Sequence, residues 1–170
     1  MINIMEKKII LEKPRKIREK SKSWNINTSF YETKVQIEFL EHIDENENEN
    51  DKNPEILEKM NSEINNKLLS YKAQDKKKNK YDESKFVNNA YIWDLLKKCH
   101  YKCFYCNQHV KLLYNEARDP LQWSIERIDN DFGHNNDNVV IACLHCNLSR
   151  RTMYHERYKF TKQLKIEKMN

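Results

Sequence analysis

The sequence predicts an α+β fold in which a helical and partly disordered N-terminal extension precedes a small, cysteine-stapled domain. Two C-x-x-C pairs, Cys103–Cys106 and Cys143–Cys146, stand 36 residues apart. Between them, an alternating apolar and polar run, a turn and a second apolar run predict a β-hairpin. One glycine and three prolines in 170 residues favour helices around this hairpin over an all-β architecture. We place the boundary between the extension and the domain near residue 80.

The first part of the extension is weakly patterned. Residues 1–24 carry eight Lys or Arg against three Glu, which suits either a polyanion-binding arm or a solvated surface. From Phe30 to Ile43 the apolar residues alternate only in part, so this segment is either a strand or a helix. Residues 44–53 are acidic and low in complexity, which predicts a disordered linker.

A helix is predicted over about residues 53–71. Asn53-Pro54-Glu55 indicates its start, because it offers a capping residue, a proline in the first turn and an acid near the positive end of the dipole. Helical spacing then joins Ile56, Met60, Ile64 and Leu68. The lysine-rich residues 72–80 are predicted to form a second linker.

The domain, residues 81–170, is predicted to open with a helix over about 82–98. Asp82 or Ser84 could cap the helix. An aromatic stripe at helical spacing predicts the face that packs on the rest of the domain, and it comprises Phe86, Ala90 and Trp93.

The two cysteine pairs predict a zinc cage. A C-x-x-C turn aims two thiolates at one point, and two such turns supply the tetrahedral sulfur set that zinc prefers. We therefore expect one structural Zn²⁺ per chain, held by Cys103, Cys106, Cys143 and Cys146. The fifth cysteine, Cys99, lies near the end of the leading helix and is expected to be a packed free thiol.

The insert between the cysteine pairs is predicted to fold back on itself. Alternation from Leu121 to Glu126 indicates a half-buried strand, and Val139 to Ala142 runs back into the second pair. Gly133 lies in the Asn- and Asp-rich loop between these runs, where we expect a turn with positive φ. The segment from His109 to Tyr114 is either a strand or a short turn of helix.

A basic helix is expected to begin at about Asn147. Its cations lie where a nucleic-acid backbone could pass, and they should contact phosphates rather than read sequence. The residues assigned to this surface are Arg150, Arg151, Arg157 and Lys159.

The order of residues across the insert resembles the HNH endonuclease family, in the branch known from phage and large-virus proteins whose first strand ends in acid-Arg-Ile-Asp. The resemblance covers about residues 99–155. It implies a treble-clef-like ββα-metal fold, in which a hairpin and a helix hold one divalent cation against a scissile phosphate. The motifs that carry it are Ser124 to Asn130, Gly133, Asn138-Val139-Val140 and Cys143-x-x-Cys146-Asn147.

The resemblance also implies roles for individual residues. Glu126, Asn138 and Asn147 match the positions that would hold a catalytic Mg²⁺ or Mn²⁺. Arg127 stands where the family usually has the His that activates water, and a guanidinium cannot accept that proton. Arg127 could clamp the phosphate instead. The candidate substitutes for the base are His134 and Asp129.

The expected function is that of a metal-dependent endonuclease acting on DNA, with RNA as the alternative substrate. The alternative function is a non-catalytic zinc module that binds nucleic acid or protein. No segment approaches the ~20 apolar residues of a membrane span, and the start lacks the apolar core of a secretory signal. We therefore expect an intracellular protein, cytoplasmic or nuclear, without membrane contacts.

Overall fold

The structure, a computed structural model, describes residues 24–45 and 53–164. The predicted basic arm and most of the predicted acidic linker lie outside these residues. The described chain combines helices with a two-stranded antiparallel sheet, so the α+β class is confirmed. In chain order it forms a 3-10 turn Thr28–Tyr31, α1 Thr33–Glu45, α2 Pro54–Lys77, α3 Asn89–Lys98, β1 Trp123–Arg127, β2 Val139–Cys143, α4 Leu144–Arg150 and α5 His155–Gln163.

Helix α1 resolves the choice that the sequence left open for residues 30–43. Ile37 and Leu40 are buried against the rest of the protein. Gln36, which precedes Ile37, is also buried, and its amide oxygen accepts hydrogen bonds from the backbone N–H groups of Leu112 and Leu113. The extension is therefore fastened to the insert between the cysteine pairs, and one hydrophobic core crosses the predicted boundary at residue 80.

Helix α2 begins at Pro54, as predicted, but it does not end near Tyr71. It continues to Lys77, and Asn79 follows with a φ of 55°. Lysine, alanine and glutamine are good helix formers, and neither glycine nor proline interrupts the run, so charge alone was a poor signal for a linker. The last turns of α2 lie beside the loop before β2, since Asp75 is hydrogen-bonded to His134.

The leading helix of the domain is shorter than predicted. α3 begins at Asn89, and the side chain of Asn88, rather than Asp82 or Ser84, caps it by accepting from the backbone N–H of Tyr91. The buried residues of this helix are Ile92 and Leu96. The predicted stripe is confirmed only in part, because Phe86 and Trp93 are partly buried against the core, whereas Phe86 precedes the helix and Ala90 is exposed.

The hairpin is present, with Ile125 paired to Ile141 and Arg127 paired to Val139. Strand β1 is not half-buried as predicted, since Ser124 and Glu126 on its polar face are buried as well. Helix α4 packs on this hairpin. Both buried polar side chains have partners on α4, because Asn147 donates to Ser124 and Arg150 donates to Glu126.

The basic C-terminal segment is two helices rather than one. α4 ends at Arg150, and Arg151 takes a positive φ of 53° before α5 begins at His155. Neither glycine nor proline marks this break in the sequence. Among the described helices, none combines the length and the apolar character that a membrane crossing requires.

Candidate metal centre and adjoining cavity

The four paired cysteines come together in space. The sulfur atoms of Cys103, Cys106, Cys143 and Cys146 all lie within 4.8 Å of one another, and the Cys106 and Cys143 sulfurs are 3.9 Å apart. A tetrahedral zinc with Zn–S bonds of about 2.3 Å has sulfur–sulfur edges of about 3.8 Å. The cluster could therefore hold a metal ion such as zinc, as its spacing predicted. Cys99 stands apart from it, with its thiol directed at the carbonyl oxygen of Leu96.

Local backbone geometry brings each pair of thiols together. The first pair lies in a tight turn closed by Asn107, whose N–H donates to the carbonyl oxygen of Cys103 and whose φ is 58°. In the second pair, Cys143 caps helix α4, and its sulfur accepts from the N–H of Cys146. One cysteine pair is thus set by a turn and the other by a helix N-terminus.

The crowded thiols affect one another's protonation. The pKa of Cys103 is lowered because Cys143 and Cys146 share hydrogen bonds with its sulfur, whereas the pKa of Cys143 is raised chiefly by its bond to Cys103. These shared hydrogen bonds therefore favour a thiolate on Cys103 over one on Cys143. A bound cation would let all four sulfurs release their protons, which is the usual coupling between metal binding and deprotonation.

A cavity of about 570 Å³ opens beside the hairpin, bounded by the C-terminal half of α2, by β1 and by α4. It is rich in cations, and Glu126 is the only acid among the described residues that line it. The polar residues of its wall that matter here are Lys78, Lys80, Glu126, Arg127, His134, Asn147 and Arg151.

Glu126, in the wall of this cavity, is paired with an arginine buried behind that wall. The Nε atom of Arg150 donates to Glu126 Oε1, and the side chains of the pair are 2% and 8% exposed. Burial raises the pKa of Glu126, while the charge of Arg150 acts in the opposite direction. Arg150 is thus the partner of Glu126, and the structure corrects its assignment to an exposed nucleic-acid-binding surface.

Asn138 has a different role from the one that the resemblance implied. Its amide oxygen accepts from the N–H of Asp129 at 2.8 Å, and its amide nitrogen donates to the carbonyl oxygens of Asp129 and Gly133. The side chain holds the ends of the loop together, and Asn138 does not line the cavity that contains Glu126 and Asn147. Asn147 does line the cavity, with its amide nitrogen donating to Ser124 Oγ.

The two candidate bases are separated by the fold. Asp129 does not line the cavity but faces two neighbouring clefts, and its Oδ1 atom accepts from the N–H of Asp131. His134 does line the cavity, and its Nδ1 lies 2.9 Å from Oδ1 of Asp75. Burial lowers the pKa of His134, while its hydrogen bond to Asp75 acts in the opposite direction.

Gly133 beside His134 is required by a close approach rather than by its φ, because no described glycine has a positive φ. A Cβ atom at this position would lie 2.3 Å from the carbonyl oxygen of Lys80 and 2.9 Å from Oδ2 of Asp75. The predicted positive φ is therefore wrong. The glycine lets the loop pack directly on the end of α2.

The remaining predicted cations lie in different places, and neither Arg157 nor Lys159 is among the residues that line the cavity. Arg151 lines the cavity and is exposed, and Arg157 is exposed on α5. The amino group of Lys159 sits 3.9 Å from the ring centroid of Phe104, within the first cysteine turn. Arg127 lines the cavity while its guanidinium donates to the carbonyl oxygens of two loop residues, Asn130 and Phe132.

Sequence reasoning missed the contribution of α2 to this site. Asp75, Lys78 and Lys80 lie in the stretch predicted to be a linker, yet Asp75 is buried and both lysines line the cavity. The high helix propensity of the lysine-rich stretch is the sequence feature that could have predicted the longer helix. Nothing in the sequence indicated that this helix end meets the hairpin loop.

The chain matches no known family model, and no similar curated protein or solved structure was found. The resemblance to HNH endonucleases therefore rests on the quoted motifs alone.

Proposed function

We propose that this chain is a metal-dependent endonuclease of the HNH type, which hydrolyses DNA phosphodiester bonds in the cavity beside the hairpin. One zinc ion at the cysteine cluster would hold the hairpin and α4 in a treble-clef-like ββα-metal arrangement. The observation that carries the proposal is the meeting of Glu126, Arg127, His134 and Asn147 in one cavity. This set offers an acid, a fixed cation, a proton acceptor and an amide within a single concave site.

The charge of the cavity supports a phosphate-bearing substrate. Lys78, Lys80, Arg127 and Arg151 line it, against the single carboxylate of Glu126. Glu126 is in turn paired with Arg150, so the net field of the wall is positive. Such a field attracts a polyanion without reading its sequence.

The donor set is compatible with a divalent cation completed by the substrate. Mg²⁺ and Mn²⁺ prefer oxygen ligands, and Mg²⁺ is commonly bound through one or two carboxylates together with substrate phosphates and water. Glu126 would supply the carboxylate and Asn147 the amide oxygen. When bound, the cation would neutralise the charge that grows on the phosphate during cleavage.

The chain's own residues would orient the phosphate. One guanidinium nitrogen of Arg127 donates to two loop carbonyl oxygens. The other N–H groups of the guanidinium could donate to a phosphate oxygen. Arg151, displaced from the helix by its positive φ, stands exposed at the same cavity. Arg127 in this scheme is a phosphate ligand and takes no proton.

A plasmid-nicking assay tests the proposal. Supercoiled DNA is incubated with the zinc-loaded chain and Mg²⁺ or Mn²⁺, and cutting should require the added cation. Glu126→Gln preserves shape and an acceptor for Arg150 but removes the charge, so it should abolish cutting. Glu63→Gln, which removes another buried and hydrogen-bonded carboxylate, is the matched control and should cut normally.

The alternative is a non-catalytic zinc module that binds nucleic acid or protein on the same scaffold. Two observations favour it: Arg127 at the usual position of the base, and the neutralisation of Glu126 by Arg150. Binding of DNA without nicking, in both the wild type and Arg127→His, would support the alternative over the endonuclease.

A further inference from the structure

Asp75 near the end of α2 holds His134 by both its backbone and its ring. Asp75 Oδ2 accepts from the backbone N–H of His134 at 2.7 Å. The ring Nδ1 lies 2.9 Å from Oδ1 and 3.0 Å from Oδ2 of the same carboxylate. The two side chains are 6% and 1% exposed, so these hydrogen bonds are shielded from water.

This pairing selects one tautomer of the imidazole. A carboxylate can only accept hydrogen bonds, so Nδ1 of His134 must carry the hydrogen that it shares with Asp75. The lone pair of the neutral ring then sits on Nε2. Because Nδ1 is occupied by Asp75 and His134 lines the cavity, Nε2 is the ring nitrogen left for chemistry there.

The position of the ring is fixed from several sides. Its plane is tilted by 36° from the ring of Tyr71, with 4.3 Å between the centroids. The hydroxyl of Tyr71 accepts from the backbone N–H of Ile125, which precedes Glu126 on β1. Gly133 meanwhile packs on the carbonyl oxygen of Lys80. The imidazole is therefore held in a defined place relative to the strand that carries Glu126 and Arg127.

We propose that His134 accepts the proton of the attacking water, and that Asp75 is the positioning residue that sets its tautomer and orientation. The proposal rests on the endonuclease function proposed above. It gives helix α2, which lies outside the segment that resembles HNH enzymes, an essential part in the reaction. It also assigns the base that Arg127 cannot provide.

The step balances as a hydrolysis. Nε2 of His134 takes one proton from water while the water oxygen forms a bond to phosphorus. The bond from phosphorus to the leaving oxygen breaks, and that oxygen takes a proton from solvent. His134 then releases its proton to solvent, so the products are a phosphate monoester and a hydroxyl end.

Asp75→Asn is the sharpest test of the positioning role. The backbone N–H of His134 can only donate, so the single oxygen of the new amide should accept its hydrogen bond. The amide NH₂ would then face Nδ1 at the position of Oδ1, the closer of its two contacts, which favours an acceptor at Nδ1 and the hydrogen at Nε2. We expect kcat for nicking to fall ~10²–10⁴-fold, the usual worth of general-base assistance, while zinc content and DNA affinity stay unchanged.

Glu63→Gln is the matched control, because Glu63 is another buried acid of α2 and is bonded to Tyr114 rather than to a cavity residue. It should retain nicking, within the change that its effect on stability explains. Equal losses of kcat in Asp75→Asn and Glu63→Gln would assign Asp75 a purely structural role and overturn its part in the proposal.

Nitrogen-15 NMR of the histidine rings gives a readout that does not depend on cutting. His134 should be protonated at Nδ1 in the wild type and at Nε2 in Asp75→Asn, both at neutral pH. Protonation at Nε2 in the wild type would contradict the proposed tautomer directly.

His134→Ala tests the base itself. It should lose nicking to a similar extent, and added imidazole should restore part of it by occupying the vacated space. A wild type that cuts while His134→Ala cuts equally well would overturn the base assignment alone. A wild type that never cuts, although its ring is protonated at Nδ1, would overturn the endonuclease function and with it the base.

Discussion

Arg150 is buried against Glu126, with its Nε atom 2.5 Å from Oε1 of the carboxylate. The same guanidinium donates to the carbonyl oxygens of Arg127 and Met153. One side chain thus joins strand β1 to the turn between α4 and α5. Its burial explains why an arginine next to exposed Arg151 cannot be treated as part of the same surface.

Arg150→Ala should therefore destabilise the fold rather than only weaken DNA binding. Removing one partner of a buried ion pair leaves the other charge uncompensated, and such losses are typically about 3–5 kcal/mol in the free energy of unfolding. Denaturant unfolding at constant zinc concentration would measure it. The double variant Glu126→Gln/Arg150→Met should lose less free energy of unfolding than the sum of the losses in Glu126→Gln and in Arg150→Met measured separately. Strict additivity would mean that the pair is not coupled.

Predictability differed between local and distant contacts. The sequence predicted the cysteine cluster, the hairpin and the start of α2 at Pro54. Each of these features depends on a short local motif. The pairing of Asp75 with His134 spans 59 positions and leaves no pattern in either segment. The charge of residues 72–80 predicts a linker, but their lysine, alanine and glutamine residues favour a helix, and α2 continues to Lys77.

The candidate site shows the same division. Glu126 and Asn147 both line the cavity, because the hairpin and α4 that carry them are local structures; that they hold a metal stays a prediction. Arg150 was misplaced because helical spacing does not show that an acid on the facing strand is buried and needs a partner. The positive φ of Arg151 could not be predicted, because neither glycine nor asparagine occupies that position.

Zinc should be bound at one equivalent per chain. Cys143→Ser should lose the metal and unfold the hairpin and α4, because Cys143 both ends β2 and caps the helix. Metal analysis with circular dichroism would measure both effects. Cys99→Ser is the control and should keep its zinc, since Cys99 lies outside the cluster. Well-folded wild-type protein without any metal would rule out the cage.

DNA affinity should depend on the cavity cations. Arg151→Ala and Lys78→Ala should each weaken binding to unrelated sequences, and each should reduce the slope of log K against log salt by about one. Fluorescence anisotropy at several salt concentrations would give these slopes. Lys98→Ala, at an exposed position on α3 paired with Asp94, should leave them unchanged. A DNA affinity that does not change with salt concentration would contradict a phosphate-binding surface.

Gly133→Ala should disturb the site although alanine is small. The added Cβ would meet the backbone oxygen of Lys80, which cannot swing aside like the end of a flexible side chain. We expect a loss of about 1–3 kcal/mol in the free energy of unfolding, the usual range for overpacking, and weaker nicking as His134 shifts. Asn136→Ala, at an exposed position of the same loop, is the control. A fully active and stable Gly133→Ala would show that the loop tolerates the displacement.

Acidification should reduce stability through His134. Burial, with smaller contributions from the charges of Arg127 and Lys78, holds the pKa of this ring below its ordinary value of 6.5, although Asp75 acts in the opposite direction. The unfolded chain therefore takes up the proton at a higher pH than the folded chain. The stability contributed by the neutral ring is fully present above the unfolded pKa and is lost as pH falls through the folded one. The difference in free energy of unfolding between the wild type and His134→Gln should accordingly shrink from about pH 7.5 to about pH 5.5. A difference that grows on acidification would instead require a ring that is charged in the folded protein, with a folded pKa above the unfolded value.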